Sequence, residues 1–240
     1  MSEEQSLTMN VFINPLAFVD IDLPNDNDSS NTIDPQKIIN YLCDPESSSD
    51  LPSLINRYRE ISAEPSALFI VPTEQQFWGK IILPLKSAKG SYMVGNYLGA
   101  IALCGMVAEM IAILIFEMSG QDIQIGNKHL DDDLQKKLFN STFENLGQDR
   151  RISVLLGLGL ISQDQKQKFD EIKNIRKKYL HFYSKEHTDI TKDAIKVFGA
   201  CEKLVVDLIG QNFVAGRLVL NAAFARYLIK IGFAKAPSQE

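Results

Sequence analysis

The sequence predicts an all-α protein, and three observations lead there. From residue 73 onward, apolar residues recur at i, i+3 and i+4 spacings over several long segments. No segment alternates apolar and polar residues for long enough to compete as a sheet. The composition also breaks sharply: seven of the nine prolines fall at or before Pro72, and all fourteen glycines at or after Gly79. A Pro-rich arm, residues 1–72, is therefore expected ahead of a helical-bundle domain, residues 73–240.

The arm is acidic, with three Lys/Arg against twelve Asp/Glu, a balance of -9, whereas the remainder carries 22 against 18, a balance of +4. Turn clusters such as "LPNDNDSSN" and "DPESSSDLP" separate short apolar pieces. Two short helices are expected, near Pro35–Leu42 and Leu51–Ile61. Proline in the first turn suits the former, because its missing N–H would have no helical partner there.

The first long helix is expected over Thr73–Lys89, with Pro84 kinking or breaking it. Tyr92–Ser119 reads as one long apolar helix. Within it, Leu98–Phe116 is nineteen residues with a single charge, Glu109, which is long enough to span a bilayer. A carboxylate at the centre of a lone span costs roughly 3 kcal/mol, and no second span accompanies it. A buried central helix and no membrane association are expected, with Glu109 facing Arg176 or a lysine. Gly120–Lys128 reads as a loop. "LDDDLQKKLFNSTFENL" reads as an amphipathic helix whose opening aspartates, Asp131–Asp133, complement the helix dipole. Consecutive positions at a helix start do not converge on a metal.

Arg150–Leu158 is a short helix that exits through "GLGLIS". Ser162 with Gln165 three residues on has capping-box spacing. The helix it opens carries a stripe of Phe169, Ile172, Ile175, Tyr179 and Leu180. A polar loop around "SKEHTD" follows, then helices over Ile190–Leu208 and Phe213–Ile231.

A net charge of -5 excludes a general nucleic-acid coat. Cys43, Cys104 and Cys201 are odd in number and far apart, so they read as reduced thiols and not as a disulfide frame or zinc site. The polar, acidic start "MSEEQSLTMN" is no signal peptide. A cytoplasmic location is expected.

One stretch carries chemistry: "FDEIKNIRKKYLHFYS", Phe169–Ser184. Metal-free RNA cleavage needs a group that moves a proton near neutral pH, and histidine fits. It also needs a fixed cation to hold the scissile phosphate, and arginine fits. Arg176 and His181 supply both types, and neither a metal nor a cofactor is required. Five residues on an ideal helix span about 140° of rotation. One helix aims both at one phosphate only if it ends or bends near Leu180; otherwise two copies pool their motifs. Lys166, Lys168, Lys173, Lys177, Lys178 and Lys185 give this helix a basic side suited to an RNA backbone. The ordinary alternatives are a surface ion pair from Arg176 to Asp170, Glu171 or Asp193, a capping role for His181, and aromatic packing for Tyr183.

In its helix order and in Arg176-Lys177-Lys178-Tyr179-Leu180-His181 followed by Tyr183, the region Thr73–Gly210 resembles the HEPN family, the higher eukaryotes and prokaryotes nucleotide-binding domains. The resemblance is nearest to HEPN toxins with an Arg-x4-His-x-Tyr motif. It implies a helical bundle, a homodimer with the motif at its interface, and an endoribonuclease of toxin–antitoxin or phage-defence type. It also implies catalytic roles for Arg176, His181 and Tyr183, with Lys173, Lys177, Lys178 and Glu109 supporting the site or binding RNA. In the related toxins an antitoxin nucleotidyltransferase modifies the tyrosine with AMP, so a partner of that kind is implied. One departure stands out: Lys177 occupies a position where the family usually has Asn or Asp. It supports the alternative of a catalytically inactive module that binds a protein or nucleotide.

Overall fold

The computed structural model describes residues 51–63, 74–120, 123–125, 128–181, 188–210, 212–214 and 217–233. The chain divides into Met1–Ser48 and Ser49–Glu240, and all described residues belong to the second unit. The expected helix near Pro35–Leu42 lies outside the described residues. Those residues form an all-α bundle, with strands only as two small antiparallel ladders.

Helix α1, Leu51–Ile61, forms where the sequence predicts it. It packs on the bundle through α2, Leu83–Met93. Arg57 Nη1 donates to the Met93 carbonyl at 2.9 Å, and the Tyr92 hydroxyl donates to Glu60 at 3.0 Å. Burial, reinforced by the hydrogen bond to Glu60, pushes the Tyr92 hydroxyl pKa well above its ordinary value. This part of the acidic stretch therefore belongs to the bundle, and the unit boundary falls before it, at Ser49.

Pro84 neither breaks nor ends its helix. An α-turn, Gln75–Phe77, leads into a π-helical segment, Trp78–Ile82, which runs straight on into α2. The Leu83 N–H bonds back five residues to the Trp78 carbonyl. A proline ring clashes with the carbonyl four residues earlier in an α-helix, and the wider π-turn just before Pro84 relieves that crowding.

The long apolar run begins later than its periodicity indicates. Tyr92 closes α2. Gly95, at φ 83°, donates to the Tyr92 carbonyl at 3.0 Å, and Asn96 donates to the Ser91 carbonyl at 2.8 Å, a Schellman stop. Asn96 Oδ1 then accepts the Gly99 N–H at 2.8 Å and opens α3, Tyr97–Gly120. Among the described residues α3 is the one helix long and apolar enough to cross a bilayer. In the bundle it is the central element, packed against α2, α5 (Gln148–Gly157), α6 (Gln163–Leu180) and α7 (Ile190–Ile209). Ile101, Cys104, Val107, Ala108, Ile111 and Ala112 are sealed from solvent. Each large apolar side chain so buried is worth roughly 1.5–3 kcal/mol.

After α3 comes the ladder of β1, Gln124–Ile125, with β2, Lys128–His129. Helix α4, Asp132–Phe139, is shorter than the amphipathic pattern predicts. Asp131 caps it by accepting the Leu134 N–H at 2.8 Å, and Asn140 ends it in the left-handed region at φ 57°. Buried Gln135 accepts the Phe143 N–H at 2.9 Å, which folds a 3₁₀ turn, Phe143–Asn145, back over the helix. Phe143 stacks on Phe116 of α3 at 4.0 Å between ring centroids.

The predicted last helix, Phe213–Ile231, is only half helix. Strands β3, Asn212–Val214, and β4, Arg217–Val219, pair with Val214 opposite Arg217, and α8 spans Ala222–Lys230. An apolar run reads equally as strand or helix. Here β-branched and aromatic residues flank Ala215-Gly216, which favours a hairpin. Asn221 caps α8 by accepting the Ala223 N–H at 2.9 Å.

The exit of α5 supplies a test of these helix stops. Gly159 sits at φ +70° with open space around it, and exposed Gly157 has ordinary helical backbone and equally open space. We expect Gly159→Ala to destabilise by about 1–2 kcal/mol and Gly157→Ala to stabilise by about 0.5 kcal/mol. Denaturant unfolding of the two variants reads the opposite signs.

Candidate functional site

Helix α6 starts on the predicted capping box: Ser162 Oγ accepts the Gln165 N–H at 3.2 Å, and Gln165 Oε1 accepts the Ser162 N–H at 2.9 Å. Phe169, Ile172 and Tyr179 are buried against α3 and α7, Ile175 is half-buried, and Leu180 is exposed. The missing member of the 169, 172, 176, 179 stripe is Arg176. An arginine thus stands on the inward face of α6.

Two features of α3 admit it. Gly105 leaves room, since a Cβ there would lie 2.5 Å from Arg176 Cδ. Glu109, one turn further on, accepts a hydrogen bond from Arg176 Nη1. This pair joins two helices 67 positions apart in sequence and is half-buried, with 29% and 28% of the side chains exposed. The surface partners considered for Arg176 are engaged elsewhere: Asp170 with Lys166 and Lys173, Glu171 with Lys196, and Asp193 with Lys178 and Tyr179.

Helix α6 ends at Leu180. His181 is its C-cap at φ -125°, exposed, with its N–H donating to the Lys177 carbonyl at 3.2 Å. The helix therefore stops at the residue where the sequence reading placed its end or bend. Arg176 and His181 both line an open cleft of about 250 Å³, together with Lys173 and Lys177 of α6 and the segment Gly147–Arg150 at the start of α5. Gly147 precedes that helix without a side-chain cap.

The lysines divide. Lys173 lines the cleft but is held by Asp149 at 2.6 Å and Asp170 at 3.0 Å. Lys177 is exposed on the cleft and has no ion pair among the described residues. Lys178 is not brought to the cleft: its Nζ meets Asp193 of α7 at 2.9 Å and lies over the Tyr179 ring. Lys166 and Lys168 pair with Asp170 and Asp164 along the helix. The basic side read from the sequence is therefore largely neutralised by neighbouring carboxylates. Tyr183 and Lys185 lie outside the described residues, as does most of the loop after His181.

Arg151 was not legible as a site residue. Its side chain is 11% exposed, its Nη2 donates to the Glu144 carbonyl at 3.1 Å, and its Nη1 lies 3.8 Å from Glu109 Oε2. Two guanidinium groups thus share one carboxylate. Arg151 Nε and Nη1, Arg176 Nε and Gln148 Nε2 are buried without a hydrogen-bond partner among the described residues. Each such donor costs about 1–3 kcal/mol, and all four are donors in one region. None of the four can satisfy another, because none of them is an acceptor. A usable sequence signal existed: Gln148, Arg151 and Leu155 recur at helical spacing, so Arg151 falls on the inward face of its helix.

Among the described residues no group of three or more His, Cys, Asp or Glu is placed to hold a metal ion. Comparison with protein-family models, curated proteins and solved structures finds no match to this chain.

Two predictions follow from the α6 contacts. Gly105→Ala should destabilise the parent, because displacing Arg176 outweighs the roughly 1 kcal/mol gained by replacing a helical glycine. In an Arg176→Ala background the same change should stabilise; a thermal-unfolding cycle of the four proteins reads the reversal. Asp193 supplies a pH signature. Burial raises its carboxyl pKa, but hydrogen bonds from Lys178 and Tyr179 outweigh burial and hold it below the ordinary range. Its contribution is therefore full above the unfolded carboxylate pKa and fades as pH falls through the lowered folded value. Asp193→Asn should cost roughly 1–2 kcal/mol at pH 7, and the gap to the parent should close below about pH 4.

Proposed function

We propose that this chain is a metal-independent endoribonuclease of HEPN type, acting as a homodimer in the cytoplasm in a toxin or phage-defence role. The observation that carries the reading is the stop of α6 at Leu180, which brings Arg176 and His181 to one cationic cleft. Arg176 holds the scissile phosphate and stabilises charge on its oxygens. His181 takes the proton from the ribose 2′-hydroxyl as the 2′-oxygen attacks phosphorus. The bond to the 5′-oxygen breaks, that oxygen takes up a proton, and a 2′,3′-cyclic phosphate remains. The second proton-transfer group is the His181 of a second copy, which is the chemical reason for a dimer. Lys177 steers the RNA backbone, Lys173 lines the path, and Glu109 holds Arg176 in register. By resemblance, Tyr183 supports the site or is its point of control by an antitoxin nucleotidyltransferase.

Two observations favour a second reading, a catalytically inactive HEPN-like module that binds a protein or nucleotide. Lys177 stands in the usual Asn/Asp position, and the phosphate-binding arginine is engaged by Glu109.

The test is cleavage of total RNA by the purified protein in EDTA, beside Arg176→Ala and His181→Ala. We expect cyclic-phosphate ends from the parent and a loss of about 10²–10⁴ in rate for either variant. No cleavage by a folded, dimeric parent selects the binding module.

A further inference from the structure

The arrangement around Glu109 raises a problem for any phosphate-binding role of Arg176. Glu109 is the single charge in the apolar core of α3, and only 28% of its side chain is exposed. If Arg176 turned to a substrate phosphate, Glu109 would be left as an uncompensated, mostly buried charge, which proteins tolerate poorly. Something must take over the carboxylate as Arg176 leaves it.

Arg151 is placed for that exchange. Its Nη1 is 3.8 Å from Glu109 Oε2, within ion-pair range but without a hydrogen bond, and both Nη1 and Nε lack acceptors. The two arginines approach from different helices, α5 and α6, onto the two oxygens of one carboxylate. They differ in access: Arg176 lines the cleft, whereas Arg151 is 11% exposed. The buried arginine can keep Glu109 while the accessible one moves.

We propose that Arg151 is a positioning residue that exchanges with Arg176 on Glu109, so that Arg176 is released to a phosphodiester entering the cleft beside Gln148. In the free protein Glu109 bonds Arg176. As a phosphate accepts from the Arg176 guanidinium, Glu109 closes the short gap to Arg151, and no carboxylate is stranded. This rests on the phosphate-handling reading of the cleft, but not on cleavage.

The test measures binding of a 2′-O-methyl RNA oligonucleotide, which lacks the attacking hydroxyl and cannot be cut by this chemistry. Arg151→Gln should weaken binding by about tenfold, because Glu109 then has no partner but Arg176. Adding Glu109→Gln should recover affinity relative to the single variant, since the neutral amide oxygen still accepts from Arg176 but strands no charge when Arg176 leaves. Glu144→Gln in the Arg151→Gln background restores the same net charge close to Arg151, whose Nη2 meets the Glu144 backbone carbonyl, but leaves Glu109 on Arg176, and should not rescue. Equal rescue by both second changes would reduce the effect to bulk charge and overturn the exchange. So would unchanged binding by Arg151→Gln, or no rescue by Glu109→Gln in a double variant whose unfolding transition matches the parent's. A parent that binds the probe but cuts no RNA removes the nuclease reading alone, and the variants still decide the exchange. A parent that fails to bind the probe overturns both.

Discussion

A carboxylate inside an otherwise apolar helix cannot stand alone, and the site is organised around that constraint. Glu109 lies in the central helix of the bundle, so every element near it must supply either apolar cover or a cation. Two helices supply cations: α6 presents Arg176 and α5 presents Arg151. Both guanidinium groups sit on inward faces that would otherwise carry leucine or isoleucine. Gly105 is the matching concession on α3: it leaves no side chain where the Arg176 stem passes. The pairing thus fixes which helices touch, how closely, and which residue each gives up.

Helix termination does the second part of the work. Arg176 and His181 would diverge by about 140° on a continuous helix. Because α6 stops at Leu180, His181 leaves the helical register and reaches the cleft that Arg176 already lines. The other wall comes from the start of α5, which the 3₁₀ turn Phe143–Asn145 and the Phe116–Phe143 stack place beside α3. The cleft is therefore a product of where helices begin and end, more than of which faces they show.

Charge count and charge availability also separate here. The motif helix is rich in lysine, yet Lys166, Lys168, Lys173 and Lys178 each meet a carboxylate from the same helix or from a neighbour. Exposed pairs of this kind contribute little stability, but they remove cations from the field that a polyanion would meet. The positive character left at the cleft comes from Lys177, from Arg150 and from the two arginines that share one carboxylate.

The sequence by itself determined the features that depend on neighbours along the chain. The all-α class, the extents of α1 and α7, the capping box of α6 and the apolar centre of α3 follow from spacing and caps, which act within one or two turns. It misplaced the start of α3, the length of α4 and half of the last helix, because an apolar run looks alike as helix or strand and because left-handed stops at Gly95 and Asn140 leave little trace in periodicity. Glu109 and Arg176 were recognisable singly, as a charge in an apolar helix and a cation in a basic motif. Arg176 was one of the partners expected for Glu109, but only the tertiary structure decided that the partner is Arg176 and not a lysine, that Arg151 shares the contact, and that most lysines are already paired. Those outcomes depend on which helix faces which across 42 or 67 positions of chain, a distance over which local pattern holds no information and burial of charge decides.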